Sequence, residues 1–214
     1  MEASFWHEKW EKKEIGFHEP KVNPILVANL AQLDLDEGAR LFLPLCGKTK
    51  DIAWLLSQGF SVVGAELSEL AIKELFDEMG QTPTIEQHAS FSHYSAERID
   101  IYVGDIFELS SLVLGAVDAI YDRAAMVALP SAMRVRYAQH LRKITHDAQQ
   151  LLVCFEYDQA QLAGPPFAVS EDEVRAHYAA HYGLRILQAK ALTGGLKGKV
   201  EAVEKVYLLS SLED

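Results

Sequence analysis

The chain has 214 residues, 49% of them hydrophobic, enough to bury a sizeable core, and its length favours one domain, 1–214, over two. Aspartate and glutamate number 31 against 20 lysines and arginines, and the formal net charge of -11 has the wrong sign for attraction to phosphate backbones or anionic lipid. Nucleic acid and membrane are therefore not expected partners, and no apolar stretch approaches the roughly 20 residues of a spanning helix.

Met1 is followed by acidic, aromatic and basic residues rather than an apolar leader. Cys46 and Cys154 lie far apart and form no C-x-x-C pair, which suits a reduced interior. A cytoplasmic monomer is the expectation.

Residues 1–39 have helical character, with Trp6 and Trp10 at i, i+4, and read as either a cap over the rest or a lid. From Arg40 onward, strand-length apolar runs alternate with helical periods, the mark of a parallel-sheet α/β fold for 40–214. Leu41 to Leu45 reads as the first strand, followed by a helix with Ile52, Leu55 and Leu56 on one face and Gly59 at its end. Ser61 to Ala65 is the second strand. Ser68 then caps a helix carrying Ile72, Leu75, Phe76 and Met79, with Gly80 as its stop.

Residues 81–98 are polar, carry Pro83, His88 and His93, and read as a loop or short hairpin before a third strand at Ile99 to Val103. Val117 to Tyr121 and Gln150 to Tyr157 are the fourth and fifth strands, with a helix opened by Pro130 between them. A helix follows at about Ser170 to His181, where Ser170 and Glu173 have capping-box spacing. Two last strands, Leu184 to Leu192 and Val200 to Leu209, are joined by a Gly-rich turn and predict an antiparallel edge pair.

Open α/β sheets bind ligands outside the carboxyl ends of their strands. The unusual residues at those ends are Leu45 to Lys48, Glu66 to Ser68, Gly104 to Phe107, and Asp122 with Arg123. Glu66 lies about 20 residues beyond the first turn, where an acidic side chain bonds ribose hydroxyls. On spacing alone an exposed carboxylate opening a helix is as good a reading. The first turn contains only Gly47 and lacks the G-x-G-x-x-G of a pyrophosphate site, which disfavours a dinucleotide and leaves a phosphate-free nucleoside such as S-adenosylmethionine.

FLPLCGK at Phe42 to Lys48, VVGAELSEL at Val62 to Leu70, YDRAA at Tyr121 to Ala125, GPPF at Gly164 to Phe167 and the stretch Trp10 to His18 together resemble the thiopurine S-methyltransferase family, in order and spacing. The resemblance spans nearly the whole chain. It implies a class I S-adenosylmethionine-dependent methyltransferase fold: Rossmann-like α/β, a seven-stranded, mostly parallel sheet with helices on both faces, and an N-terminal helical cap. It implies S-methylation of small aromatic or heteroaromatic thiols, with Trp10, Leu45, Glu66 and Arg123 at the cofactor, Ile106 beside the adenine and Phe17 near the acceptor.

Mammalian members carry serine at the position of Asp105 and glycine at that of Ala124. Asp105 is an expected acceptor for the adenine amino group, and Ala124 makes the turn after Arg123 bulkier. Arg123 is the best cation to hold an acceptor thiolate, its alternative being an ion pair with Asp122 or another acid. Other expectations are a methyltransferase for selenium or tellurium species, and a non-catalytic cofactor-binding protein.

Without the resemblance, Trp6 and Trp10 read as a packed helix face. Cys46 reads as a packing residue and Lys48 as a surface or capping lysine, since the other P-loop glycines are missing. His177 and His181 lack the H-E-x-x-H pattern, and no metal is expected.

Overall fold

The computed structural model describes residues 3–212. The N-terminal segment forms α1 (Ala3–Glu11) and α2 (Pro24–Asn29), the latter capped by the Asn23 side chain, with Pro24 in its first turn. The alternating region begins with β1 (Arg40–Pro44), α3 (Lys50–Ser57), β2 (Ser61–Glu66) and α4 (Glu69–Met79). Ser68 Oγ accepts from the Ala71 amide, and Gly80 ends α4 at φ 65°, as the cap and stop signals predict.

Residues 81–98 contain the hairpin β3 (Thr84–Gln87) and β4 (Phe91–Ala96), followed by β5 (Ile99–Gly104). Then come α5 (Ser111–Leu114), β6 (Ala119–Asp122), α6 (Ala125–Ala128), α7 (Ser131–Thr145) and β7 (Gln149–Glu156). The chain closes with α8 (Glu171–Tyr178), β8 (Tyr182–Ala191) and β9 (Val203–Ser211). Ser170 Oγ accepts from the Glu173 amide, but the reciprocal half of the capping box is missing, because the Glu173 carboxylate is taken by Arg134 at 2.6 and 2.9 Å.

The sheet has nine strands in the order β3-β4-β5-β2-β1-β6-β7-β9-β8, not the expected seven. The additional pair is the β3–β4 hairpin, whose alternation is hidden by its polar composition; every residue of β3 is exposed, so no apolar face was required of it. The inner strands β5, β2, β1, β6 and β7 run parallel. Hairpin β3–β4 and the pair β9–β8 are antiparallel additions at the two edges.

Successive β1 residues alternate between the two faces, as a pleated strand requires. Leu41 and Leu43 pack with Leu26, Ile52, Leu55 and Phe76 under α2, α3 and α4. Phe42 packs with Tyr137, Leu141, Val174 and Tyr178 under α7 and α8. These side chains are 2% exposed or less, each contributing on the order of 1.5–3 kcal/mol by burial. Among the described residues no helix is long and apolar enough to cross a membrane.

Candidate active site

The order of the sheet reverses at β1, which has β2 on one side and β6 on the other. A crevice outside the carboxyl ends therefore falls among the turns after β1, β2, β5 and β6. After β1 the chain bends through Leu45 at φ 49° and Gly47 at φ 52°. Leu45 holds a left-handed conformation at a cost of about 1–3 kcal/mol, anchored where it packs against the core. Gly47 meets a tighter demand: a Cβ there would lie 3.0 Å from Trp10 Cζ2.

Trp10 is therefore seated on the first turn, and only 4% of its surface is exposed. Phe17 meets Trp10 edge to face at 5.6 Å and Trp6 at 5.7 Å, so the aromatics of the N-terminal segment form one cluster. The face is outside the 40–214 core, yet it packs on β1's turn. Phe17 remains 42% exposed.

Glu66 ends β2 and ties two turns together. Its Oε2 accepts from the Gly47 amide at 2.8 Å and its Oε1 from the Ser68 amide at 2.9 Å. The side chain is buried, which removes the reading of an exposed carboxylate opening a helix. Burial pushes its pKa up, opposed by the backbone N–H groups of Ser68, Gly47 and Leu67. Each oxygen keeps a further lone pair, so the carboxylate is able to accept from a diol while held by the backbone.

In the neighbouring strand Glu66 is in register with Val103, two residues before Asp105. Asp105 Oδ1 accepts from the Phe107 amide at 3.0 Å, capping a 3-10 turn over Ile106–Glu108. Ile106 is buried, and its carbonyl lies 2.8 Å from His140 Nε2, which must be the donor because a carbonyl only accepts.

At the end of β6 the two charged neighbours part. Asp122 turns inward and accepts from Tyr137 Oη at 2.7 Å and from the amides of Ala125 and Met126, both at 3.1 Å. Burial pushes its pKa up to about 6 despite those three donors. Arg123 points the other way and pairs with Glu19 of the N-terminal segment, not with Asp122. Asn23 Nδ2 also donates to Glu19, at 3.2 Å, and the Asn23 amide donates to Asp51 Oδ1 of α3 at 2.7 Å.

Glu19, the partner of Arg123, is a residue that sequence reading did not single out. It lies 104 residues from Arg123 and belongs to no motif, so no local signal marks it. Asp122 is singled out in sequence at its strand end, but its bond to Tyr137, 15 residues on, is not expected there.

The remaining expectations resolve simply. Cys46 and Cys154 are buried free thiols, and burial raises both pKa values, which suits packing rather than nucleophilic attack. Lys48 bridges Glu74 and Glu78 of α4, both at 2.7 Å. His177 lies 3.3 Å from the Glu173 carboxylate. Two shallow cavities of about 450 and 440 Å³ sit around Asp118 and Gln149, at the amino ends of β1, β6 and β7, away from these turns. Among the described residues one His/Glu group has donor atoms close enough for a metal ion, Glu86 with His88 and His93.

A thiopurine S-methyltransferase of Xanthobacter autotrophicus is 54% identical over 210 residues, covering 98% of this chain and 99% of the relative. One from Teredinibacter turnerae is 53% identical, covering 98% of each. Among solved structures, the Burkholderia thailandensis 1,6-didemethyltoxoflavin-N1-methyltransferase bound to S-adenosylhomocysteine superposes with TM-score 0.66 at 16% identity, over 98% of this chain and 87% of that one. The magnesium protoporphyrin IX methyltransferase of Synechocystis PCC 6803, also with S-adenosylhomocysteine, gives TM-score 0.66 at 13% identity, over 98% and 99%. Likeness at such identities establishes the class I methyltransferase fold. The thiopurine S-methyltransferase family matches residues 1–211, and with half-identical relatives along nearly the whole length, the chain belongs to that family.

Proposed function

We propose that this enzyme methylates the sulfur of small aromatic or heteroaromatic thiols, using S-adenosylmethionine bound across the turns after β1, β2 and β5. The observation that carries the reading is the buried Glu66 carboxylate, fixed by Gly47 and Ser68 amides at the sheet's reversal point. The residues fit the cofactor: a diol acceptor is present, while the glycines of a pyrophosphate turn are not. Bound there, S-adenosylmethionine supplies a methyl group already activated on sulfonium, which passes to the acceptor sulfur as the bond to the donor sulfur breaks.

Glu66 accepts from the ribose, Asp105 takes the adenine amino group on its second oxygen, and Ile106 packs beside the ring. Leu45 and Trp10 line the donor side. Phe17 contacts the acceptor. Residues 1–39 act as a lid, folding with 40–214 as one unit and excluding water from a reaction whose rate depends on alignment. A thiol reacts as its thiolate, its proton passing to water, and Arg123 favours that anion because a guanidinium stays charged at working pH. Since Glu19 holds the same guanidinium, an anionic acceptor displaces Glu19 from it or shares it. We further take the enzyme to act in the cytoplasm as a monomer.

The test is methyl transfer from labelled donor to a thiopurine-like thiol, at saturating donor and across pH, for wild type and Arg123→Ala. If Arg123 stabilises the thiolate, the rising limb of the substituted enzyme moves to higher pH. A uniform fall without a shift assigns Arg123 to positioning. Wild-type transfer to selenols or tellurium species but to no thiol overturns the acceptor class.

A further inference from the structure

The edge hairpin carries a side-chain group that methyl transfer does not use. Glu86 on β3 lies directly opposite His93 on β4, and His88, one residue past the end of β3, continues the pairing by donating its amide to the Phe91 carbonyl at 2.9 Å. One potential ligand atom from each of these three side chains lies within 4.8 Å of the other two. We propose that Glu86, His88 and His93 bind one divalent ion of the zinc class.

Three features of His93 and its surroundings point to a ligand rather than a solvated surface. His93 Nε2 sits 2.8 Å from Asp100 Oδ1 on β5, and because an ionised carboxylate only accepts, that nitrogen carries the proton. The Nδ1 lone pair is then left for a metal. The imidazole plane lies on Tyr102 at 4.7 Å and 17°, so the ring is held in orientation as well as in tautomer. Asp100 is itself anchored by Arg40 Nη2 at 3.2 Å. A carboxylate behind a ligating histidine is the usual outer shell of a protein metal site, and here it comes from outside the three ligands.

Two imidazoles and one carboxylate select a borderline ion such as Zn²⁺ over Mg²⁺ or Ca²⁺, which prefer oxygen alone. Zinc bonds of about 2.0–2.1 Å place tetrahedral ligand atoms about 3.4 Å apart. Glu86 and His88 close the remaining gap by side-chain rotation, as both are exposed, while His93 stays fixed. Three protein ligands leave a fourth position to water. The ion clamps β3 to β4 next to the Phe91–Gly104 pair, immediately before Asp105. The sequence expectation of no metal weighed the helical pair His177 and His181. A cross-strand pair has no such local spacing.

The experiment is calorimetric titration of chelator-treated full-length protein with ZnCl₂, in wild type, His88→Asn, His93→Asn and Asp100→Asn. Circular dichroism and S-adenosylmethionine affinity serve as folding controls. Wild type is expected to bind one ion per chain. His88→Asn, at an exposed position that leaves the fold intact, weakens binding at least 10-fold, as does His93→Asn. Asp100→Asn keeps the stoichiometry and loses about 10- to 100-fold in affinity. No zinc binding by wild type overturns the site, as does binding unchanged in both histidine variants. Displacement of the zinc by equimolar Mg²⁺ overturns the assigned ion class.

Discussion

At the scale of single residues, two buried carboxylates a strand apart have opposite tasks. Glu66 joins the turns after β1 and β2 through the Gly47 and Ser68 amides, and if it accepts from the ribose as proposed, replacing it with alanine removes a charge-assisted hydrogen bond worth about 1.5–3 kcal/mol. S-adenosylmethionine affinity should fall about 10- to 150-fold by calorimetry, and unchanged affinity would remove Glu66 from the cofactor site. Asp122 faces the core. Its pKa rises from 3.8 to about 6 on folding, so between those values the folded protein holds a proton that the unfolded chain has released. Stability from this group is therefore present at low pH and is lost as pH rises through about 6, by on the order of 3 kcal/mol. Asp122→Asn keeps a carbonyl acceptor for Ala125 and Met126 without the charge. Urea unfolding at pH 4.5 and pH 7.5 should show the variant gaining relative to wild type as pH rises from the lower value to the higher; an equal difference at both would mean Asp122 does not titrate in that window.

At the scale of elements, the N-terminal segment is attached by contacts of very different strength. Trp10 is buried against Gly47, whereas the ion pairs Lys9–Glu14 and Lys12–Glu8 are solvated and contribute little. The segment therefore hinges on its aromatics and on Glu19 at Arg123. Trypsin should cut near Lys9 to Lys13 in free protein and be slowed there by S-adenosylmethionine; equal cleavage with and without it would leave 1–39 a static cap. Packing between strands is less forgiving. A Cβ on Gly64 of β2 would lie 2.6 Å from Ile101 Cδ1 and 2.8 Å from Cys46 Sγ, so Gly64→Ala should destabilise by about 1–3 kcal/mol in urea. A loss below a few tenths would show that Cys46 and Ile101 move aside freely.

For the whole molecule, the two apolar clusters lie on opposite faces of one sheet and share its strands, so neither is expected to persist without the other. Unfolding followed by far-ultraviolet circular dichroism and by tryptophan fluorescence should give coincident transitions. Of the three tryptophans, Trp6 and Trp10 report the N-terminal segment and Trp54 the core. An earlier fluorescence transition would mark residues 1–39 as a separate folding unit.

What the amino-acid order determined alone was whatever depends on local period and punctuation. The inner strands at 40–44, 61–66, 99–104 and 149–156 are near-continuous apolar runs because parallel strands are buried on both faces, and Ser68 and Gly80 bracket α4 by backbone chemistry that needs no tertiary partner. The residues proposed for the cofactor were legible as a group for a related reason: Leu45, Glu66 and Asp105 stand where strands end. The tertiary structure decided what depends on segments meeting. The exposed, polar β3 displayed no buried face to read, so the sheet came to nine strands. Arg123 found its partner in Glu19 rather than in adjacent Asp122, because Asp122 ends β6 bonded to Tyr137 inside while Arg123 lies in the turn beyond the strand, within reach of the N-terminal segment. His93 gained Asp100, Tyr102 and Glu86 only when three strands lay side by side, since cross-strand register juxtaposes side chains that linear spacing does not.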